Sequence, residues 1–358
     1  MTSNRLSAAK RANSTRRIDL GKGCTLVSGG HEPRAGDLVL ARVDRAGHHD
    51  GVEDPWGRRA TIYPGDEILV CYGNRYAPDQ FEAVVPQNLG PCHLVAAGGL
   101  AAKALTWHTS MRPPTEITPI GLVADATGKV LNIRDFRIPA PAAAPHIPVI
   151  LSIGTSMNSG KTTSAARIIK GLSRAGYRVG AAKVTGTSAG KDTWLMHDSG
   201  AVRVLDFNDA GFATTYMEAV EDVEAGAMSL VGELERSGAE IAVVEVADGL
   251  LQQETRQLLA RPAMRRMTSA VVFSSVDSMG AVAGADWIRG LGYDLVTLAG
   301  VMTNSPLAAR EAADATGLPV TRLAEFLDAR VLERLFPFFD DRVARARSAE
   351  MQHDAICA

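Results

Sequence analysis

Residues 147–163 read IPVILSIGTSMNSGKTT, and their types and spacing suit phosphate chemistry. An apolar run ends in Gly154, a small polar loop follows, and Gly160-Lys161-Thr162 closes it. Small residues let backbone N–H groups crowd around a polyphosphate, and the start of the next helix adds a positive dipole end. Lys161 would reach the β- and γ-phosphates, and the Thr162 hydroxyl would hold Mg²⁺. Gly154, Thr155, Asn158, Ser159, Gly160 and Thr163 would complete the cradle. The usual spacing puts the first glycine five residues before the second, where Thr155 stands; Gly154 lies one residue earlier.

A polyphosphate with Mg²⁺ needs acids nearby. The apolar run IAVVE ends in Glu245, followed by Val246-Ala247-Asp248-Gly249. A carboxylate closing a buried strand is costly unless used, and it is well placed to hold the metal directly or through water. Asp248 is the competing acid. A second cluster, Lys183-Val184-Thr185-Gly186-Thr187-Ser188-Ala189-Gly190-Lys191-Asp192-Thr193, combines glycines and hydroxyls. Lys183 could neutralise a transferring phosphoryl group or a carboxylate, and Asp192 could be a further Mg²⁺ ligand. Asn304, in Gly300-Val301-Met302-Thr303-Asn304-Ser305-Pro306, could read a base edge with its amide. Taken alone, that last segment is better read as an Asn-Ser-Pro turn.

These residues sit at the ends of predicted strands. Strands are expected over 148–153, 179–183, 241–245, 270–274 and 295–302. Helices are expected over 161–175, 217–237, 253–262, 281–291 and 308–316. Apolar strands alternating with helices imply an α/β domain with a mainly parallel sheet covered on both faces, and ligands at its carboxyl ends.

Before residue 140 the pattern differs. GDLVLARV (36–43), ATIYPGDEILVCY (60–72) and FEAVVP (81–86) alternate and favour strands, Gly36-Asp37 and Gly65-Asp66 look like turns, and 121–131 reads as a hairpin. A small β-rich, barrel-like domain is expected, followed by a segment of weaker signals. Tyr72-Gly73-Asn74-Arg75-Tyr76 reads as a hairpin tip, and His48-His49 as part of a polar turn. The expected divisions are a disordered basic tail (1–17), the β-rich domain (18–138), a Pro/Ala linker (139–147), the α/β domain (148–340) and a C-terminal tail (341–358).

The 358 residues are 46% hydrophobic and 22% charged, ordinary for a soluble globular chain of two domains. A net charge of −2 gives no reason to expect a nucleic-acid or anionic-membrane partner. Cys24, Cys71, Cys92 and Cys357 form no C-x-x-C pair, which suits idle thiols in a reducing cytoplasm. No apolar run is long enough to span a bilayer, and Arg16-Arg17 lacks the apolar stretch a twin-arginine signal needs. His93, His108 and His197 lack metal-ligand spacing.

Residues 154–162 resemble the loop of dethiobiotin synthetase, which shares the displaced first glycine. That family belongs to the P-loop NTPases related to signal-recognition, Min-type and BioD-type proteins. The resemblance continues through Lys183 with Thr187, Glu245 to Gly249 (compare E-G-A-G-G), and Asn304 with Ser305-Pro306. It implies that Lys183 meets substrate and phosphate, that Glu245 binds Mg²⁺ and that Asn304 contacts the base. The stretch from Ala182-Lys183 through Gly190-Lys191-Asp192-Thr193 to Ser199-Gly200-Ala201 is also similar to the molybdopterin-guanine dinucleotide accessory protein. The likeness covers roughly residues 148–325. Val246 and Asp248 depart from the glycines of E-G-A-G-G. Ser156, where Min/Par-type ATPases carry a lysine, argues against their ATP-sandwich switch.

The expected function is a Mg²⁺-dependent, ATP-binding (or GTP-binding) enzyme. It would transfer the γ-phosphoryl group to a small acceptor, such as a carboxylate or carbamate, or activate that acceptor. The alternative is an accessory NTPase that docks a partner protein through its N-terminal domain. A homodimer or higher homo-oligomer is expected.

Overall fold

A computed structural model describes residues 2–336 and 338, so the C-terminal tail expected at 341–358, with Cys357, lies outside the described residues. The chain divides into two compact units, one of 1–139 with 186–191 and 207–218, the other of 140–185, 192–206 and 219–358.

The first unit is built on five strands: β1 Leu38–Arg45, β2 Glu67–Tyr72, β3 Cys92–Ala96, β4 Leu100–Trp107 and β5 Thr115–Ala124. Strand β2 pairs with β1, β1 with β5, β5 with β3 and β3 with β4, all antiparallel. A short parallel contact between β4 and β2 closes the ring, so the unit is a barrel. Its core alternates along the strands: Leu38, Leu40, Leu69 and Cys71 belong to one apolar cluster, and Val39, Ala41, Ile68 and Val70 to another. The strands β3 and β4 and the start of β5 lie in the segment of weaker sequence signals, and the end of β5 falls in the hairpin expected over 121–131. Much of β4 is exposed beyond its first three residues, which blurs its pattern.

Three expectations fail here. Residues 1–17 are not a disordered tail: a helix spans Thr2–Ala8, Lys10–Arg11 pairs with β2, and Ala12, Asn13, Ser14 and Thr15 are buried. Basic composition misled because Arg16 and Arg17 are satisfied by Asp209, to which both donate. Tyr72–Tyr76 is not a hairpin tip, since Arg75–Tyr76 pairs with Phe81–Val84 and not with β2. His49 does not sit in a polar turn: it is 6% exposed, packs against Phe81, and donates from Nε2 to the Val95 carbonyl at 3.0 Å.

The second unit is a six-stranded parallel sheet: β6 Val149–Gly154, β7 Val179–Lys183, β8 Arg203–Asp206, β9 Ile241–Glu245, β10 Ala270–Ser274 and β11 Leu295–Ala299. The order is β8-β7-β9-β6-β10-β11. The helices are α1 Lys161–Arg174, α2 Gly190–Asp198, α3 Val220–Arg236, α4 Gln253–Leu259, α5 Pro262–Met267, α6 Ser278–Gly290, α7 Pro306–Thr316 and α8 Ala329–Leu335. The path runs one way across the sheet from β6 to β8 and then reverses. Right-handed crossovers therefore put helices on both faces. Strands β6, β9 and β10 are buried at every position, as central parallel strands require.

Differences from the expected elements have local causes. The helix expected over 253–262 is two, because Pro262 cannot continue α4 and instead opens α5. Asp277 caps α6 by accepting from the Gly280 N–H at 2.6 Å, so the helix starts earlier than its apolar period suggests. Strand β11 ends at Ala299, where Gly300 turns the chain into a 3₁₀ segment, Val301–Asn304.

Among the described residues no helix is long and apolar enough to cross a membrane. Cys24, Cys71 and Cys92 are buried free thiols, and burial raises the Cys71 and Cys92 thiols to about 12.

Candidate nucleotide site

The loop 154–162 leaves the carboxyl end of β6 and enters α1, with helix onset at Lys161. Its shape depends on two residues with positive φ, Asn158 (62°) and Gly160 (103°). Gly160 lies against Gly300 of the β11 turn: a Cβ on Gly160 would come within 2.9 Å of the Gly300 Cα, and a Cβ on Gly300 within 2.3 Å of the Ser159 carbonyl oxygen. The Val301 N–H donates to the Ser159 carbonyl at 3.0 Å. The loop's first turn is fixed by the Thr155 N–H, which donates to the Ser274 carbonyl at 3.0 Å.

Lys161 is 5% exposed, and its Nζ donates to the carbonyls of Ser156 and Asp248, each at 2.7 Å. An ammonium carries three donors, so one remains for a phosphate oxygen. Burial lowers its pKa, against the upward pull of Glu245 and Asp248. Thr162 Oγ1 donates to Glu245 Oε1 at 2.9 Å. Glu245 is 1% exposed at the end of β9, and its Oε2 has no hydrogen-bond partner among the described residues. The same holds for the buried hydroxyl oxygens of Thr155 and Ser159. A buried carboxylate oxygen without a partner beside a threonine hydroxyl is the all-oxygen donor set that Mg²⁺ prefers.

Lys183, at the end of β7, ion-pairs with Asp192 of α2 and lies 3.8 Å from Glu245 Oε1. Burial alone would lower its pKa, but Glu245 and Asp192 outweigh that and leave it raised, so the ammonium stays charged. Asp192 thus joins the cluster through Lys183.

The structure therefore brings together Lys161, Thr162, Lys183, Asp192 and Glu245. Asn158 and Thr163 are exposed on the same loop and helix start. Asn304 is exposed at the end of the turn that Gly300 packs against the loop. Asp248 enters in a way its side chain did not announce: it adopts φ 63° and offers its carbonyl to Lys161. Thr185, one of the hydroxyls of the 183–193 cluster, turns instead to the backbone: its Oγ1 accepts from the Ala247 N–H at 2.8 Å. No group of three or more His, Cys, Asp or Glu side chains suited to a metal occurs among the described residues.

A strand–loop–helix phosphate cradle on a parallel sheet, with lysine, threonine and strand-end acid in place, defines a nucleotide-binding P-loop NTPase domain. Residues 150–256 match the family described as MobB, molybdopterin guanine dinucleotide synthesis protein B. Among solved structures, the chain is similar to the signal recognition particle 54 kDa protein of Aeropyrum pernix K1 in complex with GDP. That pair is 22% identical with a TM-score of 0.37, covering 59% of this chain and 51% of that one. The signal recognition particle receptor FtsY of Elizabethkingia anophelis, in complex with GDP, is 14% identical with a TM-score of 0.35, covering 54% of this chain and 65% of that one. The chain thus spans about half of the first structure and just under two thirds of the second. No curated protein matches this chain.

Proposed function

We propose that this protein is a Mg²⁺-dependent enzyme that binds a nucleoside triphosphate and passes its γ-phosphoryl group to a small acceptor, such as a carboxylate or carbamate, in cofactor or metabolite synthesis. The observation that carries the reading is the convergence of Lys161, Thr162, Lys183 and Glu245 at the strand ends.

Backbone N–H groups of 155–162 would cradle the phosphates at the start of α1. The free donor of Lys161 would meet the γ-phosphate, where negative charge shifts as the bond to the β-phosphate breaks. Thr162 and Glu245 would hold Mg²⁺, which when bound neutralises phosphate charge. Lys183, fixed in the charged form by Asp192 and Glu245, would orient the Glu245 carboxylate and face the acceptor. Asn304 would contact the base. The match to a family named for guanine dinucleotide synthesis supports a nucleotide-dependent step in cofactor chemistry and sets GTP beside ATP as a substrate to assay.

The test is nucleoside diphosphate release from ATP and from GTP, with Mg²⁺, across pools of small carboxylates and amines. Release that depends on an added acceptor is expected. Lys161→Ala should reduce it at least a hundredfold while the thermal midpoint stays within about 3 °C of wild type. An unchanged rate in that variant would overturn the assignment.

A further inference from the structure

Asp248 adopts a left-handed conformation that is rare outside glycine, asparagine and aspartate, and in it the carbonyl is aimed at Lys161 Nζ. Something must hold it there. The main chain that leads into it is tied at each step. The Val184 N–H donates to the Glu245 carbonyl at 2.9 Å, and the Val246 N–H to the Ser152 carbonyl at 3.1 Å. The next residue, Ala247, has both its own backbone groups taken by threonine hydroxyls from separate elements. Thr185, just beyond β7, accepts from the Ala247 N–H at 2.8 Å. Thr255, in the first turn of α4, donates to the Ala247 carbonyl at 3.2 Å. Both threonines are 2% exposed. Thr255 is itself pinned, since its N–H donates to Oε1 of Gln252, the cap of α4, at 2.6 Å. On the far side of Asp248, Gly249 presses on the phosphate loop so closely that a Cβ would come within 2.2 Å of the Thr155 carbonyl oxygen.

We propose that Thr185 and Thr255 are positioning residues of the phosphate site: by fixing Ala247 from both sides they keep the Asp248 carbonyl on Lys161. The inference rests on the reading of 154–162 as the nucleotide loop. Each hydroxyl is irreplaceable by shape alone, because valine fills the same volume but leaves a buried backbone group without its partner. The strained turn at Asp248 would then relax, and Lys161 would lose one of the two contacts that direct its ammonium.

The test uses the full chain, the Mg²⁺ complex of a fluorescent non-hydrolysable triphosphate, and thermal melting without nucleotide. Thr185→Val and Thr255→Val are each expected to weaken triphosphate binding about tenfold, and Thr185→Ser and Thr255→Ser to stay within about twofold of wild type. Val variants that bind as wild type does, even with a lowered thermal midpoint, would show two threonines that support the loop only, and would overturn the proposal. Serine variants as impaired as the valine ones would overturn it too. Should Thr185→Val not fold, the Thr255 variants decide between the two outcomes, since that hydroxyl reaches the same residue from helix α4. Failure of the wild-type chain itself to bind triphosphate would instead strike the nucleotide reading, so the two failures are distinguishable.

Discussion

Glu245 concentrates the chemistry of the site at one residue. One carboxylate oxygen takes the Thr162 hydroxyl, and the other is buried without a partner among the described residues. Glu245→Gln keeps the shape and the contact with Thr162 but gives up the charge. It should raise the Mg²⁺ concentration for half-maximal turnover about tenfold and change nucleotide affinity by less than about threefold. Equal effects in a metal titration and a binding titration would remove Glu245 from the metal role. His49 makes a different prediction. Burial, with Arg75 and His48 nearby, drops its pKa to about 3, so the ring is neutral and its Nε2–H serves the Val95 carbonyl. Protonation is therefore resisted in the fold and free in the unfolded chain. The contribution is whole above about pH 6.5 and drains away as pH falls toward 3, at about 1.4 kcal/mol per unit. Between pH 6.5 and 5 the barrel should lose about 2 kcal/mol by urea unfolding, and His49→Gln should flatten that slope. Lys161 and Thr162 were legible from sequence because their roles reside in side-chain type and spacing. The part played by Asp248 was not, because it acts through a carbonyl whose direction depends on a backbone angle.

At the level of elements, the phosphate loop is shaped as much by the β11 turn as by its own residues. Gly300 has φ 94°, and a Cβ there would overlap the Ser159 carbonyl. Gly300→Ala should destabilise the fold by about 2 kcal/mol and weaken nucleotide binding about tenfold, because relief of the clash moves the loop. Gly317→Ala is the comparison. It also has positive φ (68°) but no neighbour within 4 Å, so it should cost about 1 kcal/mol without altering nucleotide affinity. Melting curves and nucleotide titrations of the two variants check both. The strands that carry the site were readable as apolar runs, IAVVE ending in Glu245 above all. Helix α2 and strand β8 were not, since α2 is short and polar with little apolar period, and β8 is an edge strand with only two buried residues.

Across the molecule, the contiguous division drawn at residue 148 is too simple. Segments 186–191 and 207–218 fall within the sequence of the α/β domain yet belong to the barrel unit. Side-chain bonds within that unit account for it. Asn13 donates to the Ser188 hydroxyl at 3.0 Å, Ser188 donates to Asn208 Oδ1 at 2.9 Å, and Arg16 reaches both Asn208 and Asp209 at 2.7 Å. The Ile138 N–H donates to the Asp209 carbonyl at 2.8 Å. Removing residues 1–17 would expose the barrel face that buries Leu6 and leave Ser188, Asn208 and Asp209 short of partners. A fall in thermal midpoint of about 5 °C or more is expected. A truncated chain that melts with the full one would show the N-terminal segment to be dispensable for stability.

The sequence by itself determined the class of site and most of the α/β sheet. A phosphate loop needs small residues, a lysine and a hydroxyl at fixed spacing, and buried parallel strands need unbroken apolar runs; both are local demands that composition and period record. Only the tertiary structure decided the rest. Gly300 shapes a loop 140 residues away in sequence, Thr185 and Thr255 grip Ala247, and Asn13 joins Ser188. Each of these is a contact between residues distant along the chain, made through backbone groups or ordinary polar side chains. Nothing in the type of such a residue names its partner until the fold brings the two within hydrogen-bond reach.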